Sequence, residues 1–191
     1  MGITSYAQNF EDVMLWRALN DVGMGFYIDI GAQHPMTDSV SKAFYEQGWR
    51  GIHVEPVADY ANLLRADRAD EVVIQAVVAE AHGIVRFYQI PNTGLSTTRR
   101  EIAAEHREKL GFPVIECLVP AVTLDDVFDQ VPGDDIHWLK IDVESAEGEV
   151  LMGWRHSQRR PWVVVIEATH PNTPVENFES WEALIVDKGY D

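Results

Sequence analysis

Phe26-Tyr27-Ile28-Asp29-Ile30-Gly31-Ala32 is a short apolar run, interrupted once by an acid and stopped by a glycine. A run that is apolar on both faces and too short for a helix reads as a strand buried in a sheet, and the glycine permits a tight turn after it. Working outward, the same unit recurs. Asp38 or Ser39 is placed to cap a helix carrying Val40, Ala43 and Phe44, which stops at Gly48. Ile52 to Val54 is the next strand, closed by Glu55-Pro56; a helix through Tyr60, Leu63 and Leu64 follows, and Val72 to Val78 reads as a third strand. Strand-like Ile136 to Val143 and Val163 to Ala168 resume the alternation, with a helix around Ala146 to Met152 between them. Apolar runs separated by helices are what a parallel sheet covered on both faces requires, so the expected class is α/β with a doubly wound, mostly parallel sheet.

The remainder reads as additions to that frame. Residues 1–25 form an N-terminal helical segment with Met14, Leu15, Ala18, Leu19 and Val22 on one face. Ile84 to Ile90 is an extra strand, Arg99 to Leu110 a charged helix, and another strand lies within Val114 to Val122. Thr123, with Asp126 three residues on, caps a short helix; Thr173, Pro174 and Glu176 start a final one that stops at Gly189. No linker or repeat interrupts the chain, so residues 1–191 are expected to form a single domain.

Composition narrows the function. The chain carries 15 basic and 31 acidic side chains, a formal charge of -16, which disfavours the basic face that nucleic-acid binders use. A single cysteine, Cys117, makes no internal disulfide, and no apolar run approaches the roughly 20 residues of a membrane helix. With no signal-peptide pattern at the start, the expected location is cytoplasmic.

Ligands of open α/β sheets bind beyond the carboxyl ends of the strands. Here those ends are acidic: Asp29 before Gly31, Glu55 before Pro56, Asp142 and Glu144 after Lys140-Ile141, and Glu167 before Thr169-His170. A carboxylate ending the second strand is placed to accept hydrogen bonds from both hydroxyls of a ribose, each contributing on the order of 1.5–3 kcal/mol against its unpaired alternative. The turn Gly31-Ala32-Gln33-His34-Pro35-Met36 lacks the glycines that cradle a pyrophosphate, and no Walker-type loop is present. A ligand with a ribose and no phosphate fits best, and S-adenosylmethionine (SAM), whose sulfonium carboxylates tolerate, has that character.

The combination Ser5-Tyr6-Ala7-Gln8, Glu11-Asp12, Tyr27 to Ala32, Glu55-Pro56, Thr123-Leu124-Asp125 and Lys140-Ile141-Asp142-Val143-Glu144-Ser145-Ala146-Glu147 resembles the FkbM-type SAM-dependent methyltransferases. The resemblance implies a class I, Rossmann-like methyltransferase fold and O-methylation of a hydroxyl, on a sugar of a glycan or glycolipid or on a secondary metabolite. It implies that Asp29, Gly31 and Ala32 line the methionine end of SAM, that Glu55, flanked by Pro56, holds the ribose, and that Asp142 faces the reacting methyl region. Pro35 stands where members often have a second glycine, and Ser145 stands where Asp-Val-Glu-Gly is usual. The fold also closes its sheet with an antiparallel strand pair, for which Tyr190 and Asp191 leave no room, so those strands are expected to be missing from this chain.

Asp142 is the first candidate base, His170 the second because its ordinary pKa of about 6.5 suits proton transfer near neutrality, and His34 the third. Glu144 and Glu147 are candidates for orienting the acceptor. A divalent cation held by Asp142, His170 and Glu144 is the less favoured version, and no metal ligand is assigned. Residues 91–111 are the candidate acceptor lid. Two other readings stand beside the enzyme: a nonenzymatic nucleoside-binding or assembly module, and a nicotinamide-dependent oxidoreductase.

Overall fold

A computed structural model describes residues 2–170 and 173–191. In chain order its elements are α1 (Glu11–Leu19), β1 (Phe26–Ile30), α2 (Val40–Glu46), β2 (Arg50–Val54), α3 (Ala58–Asp67), β3 (Val72–Ile74), β4 (Val77–Val78), β5 (Gly83–Gln89), α4 (Arg100–Leu110), β6 (Ile115–Val122), α5 (Leu124–Asp129), β7 (Trp138–Ile141), α6 (Glu147–Met152), β8 (Val163–Ile166) and α7 (Glu182–Val186). The chain folds as two compact units interleaved in sequence.

The first unit comprises Met1–Gln75, Val127–Ile141 and Gln158–Val165. It holds a five-stranded, all-parallel sheet of order β3-β2-β1-β7-β8. The order reverses at β1, which pairs with β2 on one side and β7 on the other, and this reversal is where such sheets bind ligands. Strands Phe26–Ile30 and Trp138–Ile141 are almost wholly buried, as a sheet covered on both faces demands. Leu15 and Leu19 of α1 and Val40 and Phe44 of α2 pack with Tyr27, Trp49 and Trp138 in one hydrophobic cluster. In the first turn of α1, buried Asp12 accepts from Ser5 Oγ at 2.8 Å and from the Tyr6 N–H at 2.7 Å, tying the segment ahead of the helix to it.

Register sets what each strand presents. Tyr27 lies opposite Gly51 and Trp138, and Asp29 opposite His53 and Lys140, so these six residues form two adjacent rows on one face. Tyr27 stacks on Trp138 with ring centroids 4.6 Å apart. A Cβ on Gly51 would meet the Tyr27 ring at 2.2 Å, so glycine is required there for the ring to lie across β2.

The second unit comprises Ala76–Asp126, Asp142–Ser157 and Ile166–Asp191. Its three-stranded sheet has the order β4-β6-β5, with β5 and β6 antiparallel. The expected capping at Thr123 is present: its N–H and hydroxyl both bond Asp126, whose N–H bonds back to Thr123 Oγ1 at 3.2 Å. Two expectations are corrected. The run Val72 to Val78 is not one strand: it divides into β3 in the parallel sheet and β4 in the smaller one. The final helix does not start at Thr173, whose hydroxyl bonds the His170 carbonyl and the Val175 N–H in a local turn; Glu176 bridges to Thr169, and α7 begins at Glu182.

Candidate functional site

In the first unit the turn after β1 is built by Gly31 and Gln33, both in the left-handed region with φ of 75° and 52°. The Gly31 and Ala32 N–H groups share the Val54 carbonyl at 2.9 and 3.3 Å, locking the end of β1 to the end of β2. Glu55 then clamps two loops. Its Oε2 accepts the Gln33 N–H at 2.8 Å and its Oε1 the Val57 N–H at 2.7 Å, with the residue 4% exposed. Burial pushes its pKa up to about 7, against the pull of those two donors and of the Lys140 charge. Each oxygen keeps a lone pair beyond its backbone contact, so hydroxyl donors can still be accepted.

Asp29 is buried in the same rim. Its Oδ2 accepts from Ser41 Oγ at 2.7 Å; its Oδ1 lies 3.6 Å from the Lys140 ammonium, within ion-pair range, yet has no hydrogen-bond partner. Lys140 also donates to the Gly31 carbonyl at 3.4 Å, so one cation spans the acid and the turn. Asp29, Gly31, Ala32 and Glu55 are thereby brought together, with half-buried Pro56 beside Glu55. A buried carboxylate oxygen without a hydrogen-bond donor fits a ligand that brings an N–H or O–H. His34 is a turn residue: its Nδ1 accepts the N–H groups of Met36 and Thr37, each at 3.1 Å.

In the second unit the segment that follows β7 in sequence turns through two consecutive left-handed residues, Glu144 at φ 56° and Ser145 at φ 72°. Neither is glycine, so the surroundings must hold the strain. Thr97 Oγ1 donates to the Glu144 carbonyl at 2.8 Å and Arg99 Nε to the Ser145 carbonyl at 3.1 Å. Glu147, opening α6, accepts the N–H groups of Val143 and Ser145 at 3.4 and 3.2 Å, and burial raises its pKa. Residues of the candidate lid therefore brace the Asp142–Ser145 turn.

The turn gathers carboxylates. Asp142, Glu144 and Glu167 each present an oxygen within 4.8 Å of the others'. Burial and then the charges of Asp142, Glu144 and Glu147 push Glu167 up to about 9, and it shares a hydrogen bond with Asp142. At neutral pH Glu167 holds the proton and Asp142 is the acceptor. The same three oxygens have the hard donor chemistry of a divalent-cation site. His170 stands outside this cluster, exposed, with Glu105 of α4 as a charged neighbour. Sequence reasoning named Glu167 only as one more acidic strand end, and left Lys140, Ser41 and Arg68 without a role; the motif position of Lys140 was the one available signal.

Among the described residues no helix is long and apolar enough to cross a membrane. A family model described as Methyltransferase FkbM domain matches residues 29–191. No curated protein and no solved structure matches the chain.

Proposed function

The chain belongs to the FkbM methyltransferase family, and from that premise we propose that it is a SAM-dependent O-methyltransferase whose acceptor is a hydroxyl of a sugar, in a glycan or glycolipid, or of a secondary metabolite. The observation that carries the donor half is the buried Asp29 Oδ1 beside the Gly31 turn, a carboxylate oxygen in want of a hydrogen-bond donor at the point where the strand order reverses. SAM, when bound, supplies a methyl group activated on a sulfonium.

In this reading Asp29, Gly31 and Ala32 hold the amino-acid end of the donor, and Glu55, flanked by Pro56, accepts from the ribose hydroxyls. Asp142 takes the proton of the acceptor hydroxyl, Glu144 orients that hydroxyl, and Glu167 keeps its own proton in the hydrogen bond it shares with Asp142. His170 is the second-choice base. Holding reactants in line supplies roughly 7–11 kcal/mol, against roughly 3–5 kcal/mol for a base that adds about 10²–10⁴-fold. Positioning dominates, which agrees with a site spent on clamped turns.

Titration calorimetry with SAM and S-adenosylhomocysteine tests the donor half, and transfer of labelled methyl to a panel of hydroxyl acceptors tests the other. No heat from either nucleoside removes the donor assignment. Binding without transfer across the panel supports the nonenzymatic alternative.

A further inference from the structure

Arg68, which follows α3, has no exposed surface at all, and a guanidinium is almost never so deeply buried unless it is paired. Its fork is spent on two destinations. Nη1 donates to Ser41 Oγ at 2.8 Å and also reaches Tyr27 Oη and His53 Nε2, each at 3.3 Å. Nη2 donates to the Pro35 carbonyl at 2.8 Å and to Ser39 Oγ at 3.1 Å. The counter-charges are Asp67, with Oδ2 3.5 Å from Nε, and Glu71, 3.8 Å from Nη1, whose two oxygens meet Tyr27 Oη at 2.7 Å and His53 Nε2 at 2.8 Å.

Both branches end on the donor rim. Ser41 accepts from Arg68 and donates its own hydroxyl hydrogen bond to Asp29 Oδ2, so the guanidinium fixes the rotamer of Asp29 through one hydroxyl. Pro35 closes the turn that starts at Gly31, so the other branch fixes that turn. A buried ion pair is rarely more stabilising than apolar side chains of the same volume, so stability alone does not account for it. Its planar, two-pronged geometry does: one rigid cation sets the distance between an acid and a backbone turn, which a lysine cannot do.

We infer that Arg68 and Ser41 are positioning residues that hold Asp29 and the Gly31–Pro35 turn in the geometry that grips the cationic groups of the methyl donor. The inference rests on the proposed SAM reading. Arg68 touches no reacting atom; it acts through Asp29.

The test is calorimetry on the full chain with SAM and with 5′-methylthioadenosine, which lacks both the ammonium and the sulfonium, for the wild type, Ser41→Ala, Ser41→Thr and Arg68→Lys. Ser41→Ala keeps the Arg68–Glu71 pair and the Arg68 bonds to Pro35 and Ser39 while removing the hydroxyl that joins Arg68 to Asp29, so the fold should survive. The expected result is about tenfold weaker SAM binding in Ser41→Ala and Arg68→Lys with little change for 5′-methylthioadenosine, and recovery in Ser41→Thr, which restores the hydroxyl. Equal losses for the two ligands, or wild-type SAM affinity in a folded Ser41→Ala, overturn the positioning role while leaving SAM as the donor. A wild type that binds neither ligand overturns the donor reading itself, and the inference with it.

Discussion

Replacing Glu55 by glutamine separates the cost of burying this acid from its use. In the folded chain Glu55 titrates near 7, against an ordinary carboxyl value of 4.5. Its folded pKa is the higher one, so between those values the folded state keeps a proton that the unfolded state has released. Stability therefore falls as pH rises through that window. At about 1.4 kcal/mol per pH unit, the wild type loses roughly 2–3 kcal/mol on this account between about pH 5 and about pH 8. A glutamine at this position does not titrate and escapes the loss. It also has one carbonyl where Glu55 has two acceptors, so the Gln33 or the Val57 N–H is left facing an amide nitrogen, at roughly 1–3 kcal/mol. That penalty is the same at both pH values and cancels in a double difference, as do the titrations of Glu147 and Glu167. Urea unfolding of both proteins at the two pH values is the assay. The stability of Glu55→Gln relative to wild type should improve by roughly 2–3 kcal/mol from the acidic to the alkaline condition. Parallel stability profiles would refute the claim that this carboxylate is held, desolvated, above its ordinary range.

Ser145→Gly should stabilise the fold by about 1 kcal/mol, because φ is 72° there and the serine hydroxyl is buried without a hydrogen-bond partner; thermal unfolding reads it, and a lowered midpoint would mean that the turn is not strained. Glu167→Gln mimics the protonated acid, so activity near pH 7 should stay within a few-fold of wild type, while a change in rate near pH 9, expected of the wild type from Glu167, should be absent from the variant. An activity lost at neutral pH, or an unchanged alkaline profile, would contradict the assigned proton. Asp142→Asn should lower turnover by about 10²-fold or more with a smaller effect on SAM affinity, as measured by saturation kinetics and calorimetry; equal losses would argue against its role toward the acceptor.

How far the sequence carries depends on whether a signal is local. Phe26–Ile30 was legible because an apolar run between Gly25 and Gly31 has no other way to be buried. Val72 to Val78 misled for the same reason: it is apolar throughout, and nothing in composition marks the break between Ile74 and Val77 that sends its halves to different sheets. Thr173, Pro174 and Glu176 form a sound helix-start pattern, but the Thr173 hydroxyl is spent on a turn instead. At the site, an acid after β2 was visible, whereas its two backbone donors come from loops on either side of it and were not. Arg68 was invisible, since an arginine at the end of a helix reads as a solvated cation unless Tyr27, Ser39, Ser41 and Glu71 are known to surround it.

The strand order bears on biogenesis. His137, which accepts the Phe26 N–H on its Nδ1 and bonds back to the Phe26 carbonyl, lies 111 residues further along the chain. At ribosomal speeds of roughly 5–20 residues per second, that separation is on the order of ten seconds of translation. Throughout that interval β1, central in the finished sheet, is a bare edge with its backbone donors and acceptors open to any passing strand. The nascent chain is thus most prone to mispairing at the strand that bears Asp29, and chaperone capture during that window should raise the yield of folded protein.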